Sequence, residues 1–186
     1  MPDDFGRLAT RATIDLALVA YFAGAMLELR SRRREANVDG PAFRLGRTVW
    51  TLGCALYLAH VACAFQFYHH WSHQAAYAET ARRTAALFGW NSGAGLYFNY
   101  AFTLAWLADV VWQQAAPASW RSRPRWLSRL WHGFFLFMVV NATLVFETGP
   151  VRWAGVAGCV ALVAAWIGSR RKKTIEPAPP VREDSP

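Results

Sequence analysis

Three of the chain's five histidines fall within five residues, in the run Tyr68-His69-His70-Trp71-Ser72-His73. His69 and His73 are four apart, so on an unbroken helix their rings point the same way and reach one metal ion. Imidazole binds zinc, copper and iron alike. His70 would point about 100° away around such a helix. A structural site needs about four ligands and a catalytic one about three plus water. Local sequence offers His69, His73, His70 and Glu79 as the candidate transition-metal set, with Asp15 and Glu147 as further carboxylates on the same face of the threading derived below. The plainer alternative, in which three interfacial histidines solvate a helix end, is favoured. Proton handling is a third use.

A second set lies inside apolar runs: His60, Asn99, Asp109, His132 and Asn141. Ionisable and amide groups at such positions are costly in hydrocarbon and call for a partner or a purpose. They either line a polar path or hold neighbouring helices together. Holding is favoured, because the chain shows neither the internal repeat nor the broken helices of a transporter. His60 lies about 18 Å into its run and His132 about 9 Å into its own. Two haem ligands would need matching depth, so a haem between them is not expected. Asp109 sits about one turn from Gln113, within reach of headgroups or of the arginines that follow.

The elements that must carry these residues follow from composition. Of 186 residues, 54% are hydrophobic, 15% aromatic and only 17% charged, with ten tryptophans. That excludes a disordered chain, and three cysteines exclude a disulfide scaffold. Cys54 and Cys63 would face opposite sides of one helix, and all three cysteines read as small core hydrophobes. The net charge of +8 sits beside apolar segments rather than on a nucleic-acid module, so no nucleic-acid partner is expected. The chain carries no Walker, Rossmann, HExxH, GxSxG or CxxC pattern.

A bilayer core about 30 Å thick takes about 20 apolar helical residues. Five windows qualify: 13–29, 48–68, 94–113, 126–146 and 151–168. Arginine and lysine crowd three of the connecting segments: Arg30, Arg32, Arg33, Arg34, Arg44 and Arg47; then Arg121, Arg123, Arg125 and Arg129; then Arg170, Arg171, Lys172, Lys173 and Arg182. Five spans with the amino terminus outside and the carboxyl terminus inside put all three on the cytoplasmic face. The first segment resembles a leader, but its acidic start and the basic run after it favour an uncleaved helix. Trp50, Trp126, Trp131 and Trp153 near span starts, with Tyr68, Trp71 and Trp112 near exits, read as interfacial rings. Ala20 with Gly24, and Ala154 with Gly158, are small residues four apart, the spacing that lets helices approach closely.

From Gln74 to Phe88 the composition favours helix, with Glu79 and Arg83 at i, i+4 and a stop at Gly89. A short outer surface helix is expected at about 73–88. Residues 169–186 form a basic, then proline-rich tail expected to be disordered and cytoplasmic.

The expected fold is all-α: one polytopic transmembrane bundle over 1–168. The expected location is the cell's inner, or plasma, membrane. Three function classes fit. A non-enzymatic accessory or assembly subunit, touching other membrane proteins or a second copy of itself, is favoured. A membrane metalloprotein with zinc, copper or iron at the outer histidines, and a small transporter or proton-conducting protein, are the alternatives.

Overall fold

The computed structural model describes residues 3–34, 40–142 and 150–175. Every described element is a helix: α1 (Asp4–Arg34), α2 (Pro41–Ala64), α3 (His73–Phe88), α4 (Gly95–Ala115), α5 (Pro117–Arg121), α6 (Arg125–Val140) and α7 (Pro150–Ile175). A wider, π-type turn, Phe65–His69, continues α2. The all-α expectation holds. Glu147 and residues 176–186 of the tail lie outside the described residues.

α1 and α2 pack as a long antiparallel pair whose register can be read from close approaches. Gly46 lies against Leu27, Gly24 against Trp50, Gly53 against Ala20, His60 against Thr10, and Gly6 against Phe67. One number rises as the other falls along the whole length. Glycine permits this: a Cβ at Gly24 would meet the Trp50 ring at 3.2 Å, and one at Gly53 would meet the Ala20 Cβ at 3.2 Å and the Trp106 ring at 3.1 Å. The Ala20/Gly24 pair therefore forms a helix seam, as its spacing predicts. Gly158 of α7 accepts the Phe22 ring in the same manner, at 2.7 Å from a built Cβ.

The core is aromatic. Phe135 of α6 has no exposed surface, and the rings of Phe102, Trp50 and Trp106 lie 4.8, 5.4 and 5.6 Å from it, centroid to centroid. Offset and edge contacts at this range favour aromatic pairs beyond simple burial. Trp50 thus differs from its interfacial expectation. It is buried, because the Gly24 notch lets α1 close over it. Trp126, Trp153 and Trp71 are exposed.

Two stretches, Asp4–Ser31 and Pro41–His69, are long and apolar enough to cross a bilayer, and Trp126–Val140 and Gly155–Ile167 are shorter apolar helices. α4 carries Asp109 and Gln113, which lower its hydropathy, yet both are buried while Leu104, Leu107 and Val111 on the same helix face outward. Exposed Leu16, Val19, Leu52, Leu130, Phe137 and Val160 extend that apolar exterior over four more helices.

Candidate functional site

The histidine run does not stay on one helix. The π-type turn ends at His70, and both His70 (φ 48°) and Trp71 (φ 59°) take left-handed backbone. The Trp71 and His70 amides both donate to the Phe65 carbonyl and the Ser72 amide donates to that of His69, closing the end of α2. Left-handed backbone costs about 1–2 kcal/mol per non-glycine residue, so the surrounding contacts must hold this corner. A new helix then starts at His73, where the Ser72 hydroxyl accepts from the Ala75 amide at 3.2 Å. The shared face that the i, i+4 spacing of His69 and His73 requires is lost at this break.

The two rings part accordingly. His69 lies edge-on to Phe65, at 5.6 Å, and lines the cavity described below together with His70 and Glu79. His73 hydrogen-bonds the Tyr100 hydroxyl through Nδ1 at 3.0 Å and packs against the rings of Tyr77, Tyr97 and Tyr100, fastening α3 to α4. Glu79 is held by Arg82 (Nε, 3.2 Å) and Arg83 (Nε, 2.8 Å), and these hydrogen bonds keep its carboxyl below the usual range. Among the described residues no three histidine, cysteine or acidic side chains gather closely enough to hold a metal.

Beneath α3 lies a cavity of about 1520 Å³, bounded by α1, α2, α3, α4 and α6. Its floor is Ala17, Tyr21, Phe102, Trp106 and Met138, all buried. Its rim carries Arg7, Arg11, Arg82 and Arg83, with Glu79 among them. Most of the polar groups along its walls are already bonded within the protein. The hydroxyls of Thr10, Thr80, Thr84 and Thr103 donate to the carbonyls of Gly6, Ala76, Thr80 and Asn99, one turn back on their own helices, at 2.7–2.9 Å. His60 meets the Thr10 carbonyl through Nδ1 at 2.9 Å, and the Asn141 amide donates to the Phe137 carbonyl at 2.9 Å. His60, Asn99 and Asn141 therefore share one cavity wall, and His60 also ties α2 to α1.

Asp109 and His132 belong to a different cluster, at the opposite, arginine-rich end. Asp109 Oδ1 accepts from Trp120 Nε1 and from Arg123 NH1, each at 2.8 Å. Glu28 Oε1 stands 3.7 Å from Arg123 NH2 and 3.6 Å from His132 Nε2. Arg123 lies over the Trp120 ring at 4.3 Å, and Arg121 over Phe43 at 5.3 Å while donating to the Ser31 carbonyl at 3.3 Å. The Arg123 and Asp109 side chains are 1% and 2% exposed. This cluster joins α1, α4, the α5 turn and α6 through Asp109 and His132.

Three of its members escaped the reading of the sequence. Glu28 and Trp120 have no role in the reading of the sequence, and Arg123 enters it only among the loop arginines, which lie within reach of Asp109. The available signal was a glutamate that follows the apolar run 16–27 of α1, since a carboxylate there must find a cation. Comparison with protein-family models, with curated proteins and with solved structures found no match to this chain.

Proposed function

We propose that this chain is a five-span plasma-membrane protein, amino terminus outside and carboxyl terminus inside, that binds an amphiphilic molecule between its helices. It serves as a non-enzymatic, accessory component of a membrane assembly. The carrying observation is the 1520 Å³ cavity, whose floor is apolar and whose wall hydroxyls are bonded to their own backbone. Pockets for compact ligands run to about 300–1,000 Å³, so this volume suits a longer, chain-bearing molecule. The threading is supported by the apolar exterior and by the arginine-rich segments that the odd-numbered crossings would collect on one side. On that threading α3 roofs the cavity at the outer surface, and the Asp109–Arg123 cluster lies at the cytoplasmic end.

Two measurements test the proposal. Reporter fusions after Ser92 and after Pro186 should report opposite compartments; a shared compartment overturns the five-span threading. Protein purified in mild detergent should retain lipid detectable by mass spectrometry, and Thr103→Trp, which puts a large ring into the cavity wall, should lose it. Equal lipid in both proteins would remove the cavity from the function.

A further inference from the structure

Charge is distributed unevenly over the cavity. Its floor holds no ionised side chain, whereas its rim carries four arginines, of which Arg82 and Arg83 share Glu79 and Arg7 is paired with Asp4. Arg82 and Arg83 lie side by side on α3, with 73% and 51% of their side chains exposed, and Glu79 sits between them. Glu79 takes two of the five donors of Arg82 and one of those of Arg83. A guanidinium fork in this state matches a phosphate or carboxylate, which it binds through paired charge-assisted hydrogen bonds. Arg7, paired with Asp4, and Arg11 line the same cavity one turn apart on α1, so the headgroup site rests on Arg82 and Arg83.

We infer that the occupant is a lipid with an anionic headgroup, seated against Arg82 and Arg83 at the rim, its hydrocarbon running inward toward Tyr21, Trp106 and Met138. This rests on the amphiphile-binding reading above and adds the sign of the headgroup and its address on α3. The wall chemistry agrees: once the threonine hydroxyls are turned onto their own helices, the deep part of the cavity suits alkyl chain rather than a polar solute. Glu79 then competes with the headgroup for the same donors. Removing its charge should tighten binding, the opposite of what a merely structural ion pair would do.

The test uses full-length protein in zwitterionic detergent and two fluorescent probes with identical acyl chains, phosphatidylglycerol and phosphatidylcholine. The intact protein should prefer phosphatidylglycerol. Arg82→Gln/Arg83→Gln should weaken its binding by about tenfold and that of phosphatidylcholine, whose phosphate is offset by its own choline cation, by less, so that the preference is lost. Arg82→Lys/Arg83→Lys should retain most of the preference, and Glu79→Gln should strengthen it by about threefold. All three positions are surface-facing, and unaltered circular dichroism would verify that the variants fold. Equal binding of the two lipids, or a preference untouched in the double glutamine variant, overturns the anionic-headgroup assignment and leaves the cavity's amphiphile reading standing. Failure to bind either lipid overturns both. Displacement of the lipid by millimolar inorganic phosphate alone would reassign the rim to a free anion.

Discussion

Arg123 and Arg83 each approach a carboxylate at 2.8 Å, Arg123 through NH1 to Asp109 and Arg83 through Nε to Glu79. The first pair is almost wholly enclosed, and the second has half of its arginine and a third of its glutamate in the open. Distance alone would rank them as equals, but surroundings do not. Around Arg123, Trp120, Glu28 and His132 of α6 crowd the guanidinium, whose Nε is buried without a hydrogen-bond partner among the described residues, so the pair sits locked at one end of the bundle. Around Arg83, the same bond leaves donors facing a cavity, and the pair remains exchangeable. Burial decides whether a charge holds helices or receives a ligand.

That contrast can be broken most forcefully at Asp109. Asp109→Ala strands a buried guanidinium and the Trp120 indole, and should lower stability by about 3–5 kcal/mol in thermal unfolding in detergent. Replacing the pair together, by Asp109→Leu with Arg123→Met, should recover most of that loss. If the single variant unfolds no earlier than the parent, the enclosed cluster is not what holds α1, α4 and α6. A seam variant comes next. Gly53→Ala presses a methyl against Ala20 and Trp106 and should cost about 1–3 kcal/mol by the same assay.

Ser72→Ala removes the cap of α3 and should cost about 1 kcal/mol, seen as faster amide exchange confined to 73–88. The smallest effect belongs to Glu79→Gln, below about 1 kcal/mol, and it should vanish in high salt while the Asp109 effect persists. The pH dependence carries the same signature. Because the folded state holds the Glu79 carboxyl below its ordinary range, its contribution is complete above the unfolded value. It is lost as pH falls through the lowered folded value. A stability profile flat across the acidic range in the parent, and unchanged in Glu79→Gln, would show that the arginines do not hold it.

The sequence makes local features legible. Gly89 ends α3, Glu79 and Arg83 meet at one helical turn, and Ala20 with Gly24 mark a seam, because each depends on residues within a few positions of one another. Whatever needs several helices is harder to read. Glu28 and Arg123 are far apart in the chain, and only the packing of α1 beside α4 and α6 makes them neighbours. The metal set fails for a subtler reason. The i, i+4 argument presumes continuous helix, and two residues in left-handed backbone, neither of them glycine, break it between His69 and His73. The cavity leaves no trace in composition at all. Its lining comes from five helices, which together contribute ordinary threonines, alanines and aromatics.

The seam between α1 and α2 is finished by Phe67, long before the ribosome has delivered the rest of the chain. Contacts between near neighbours in sequence are the quickest to make. On the five-span threading proposed above, the first hairpin can thus zip shut at the translocon exit and offer later-emerging helices a ready wall. Damage to its glycines should therefore be felt first in the yield of inserted protein, before any property of the finished molecule.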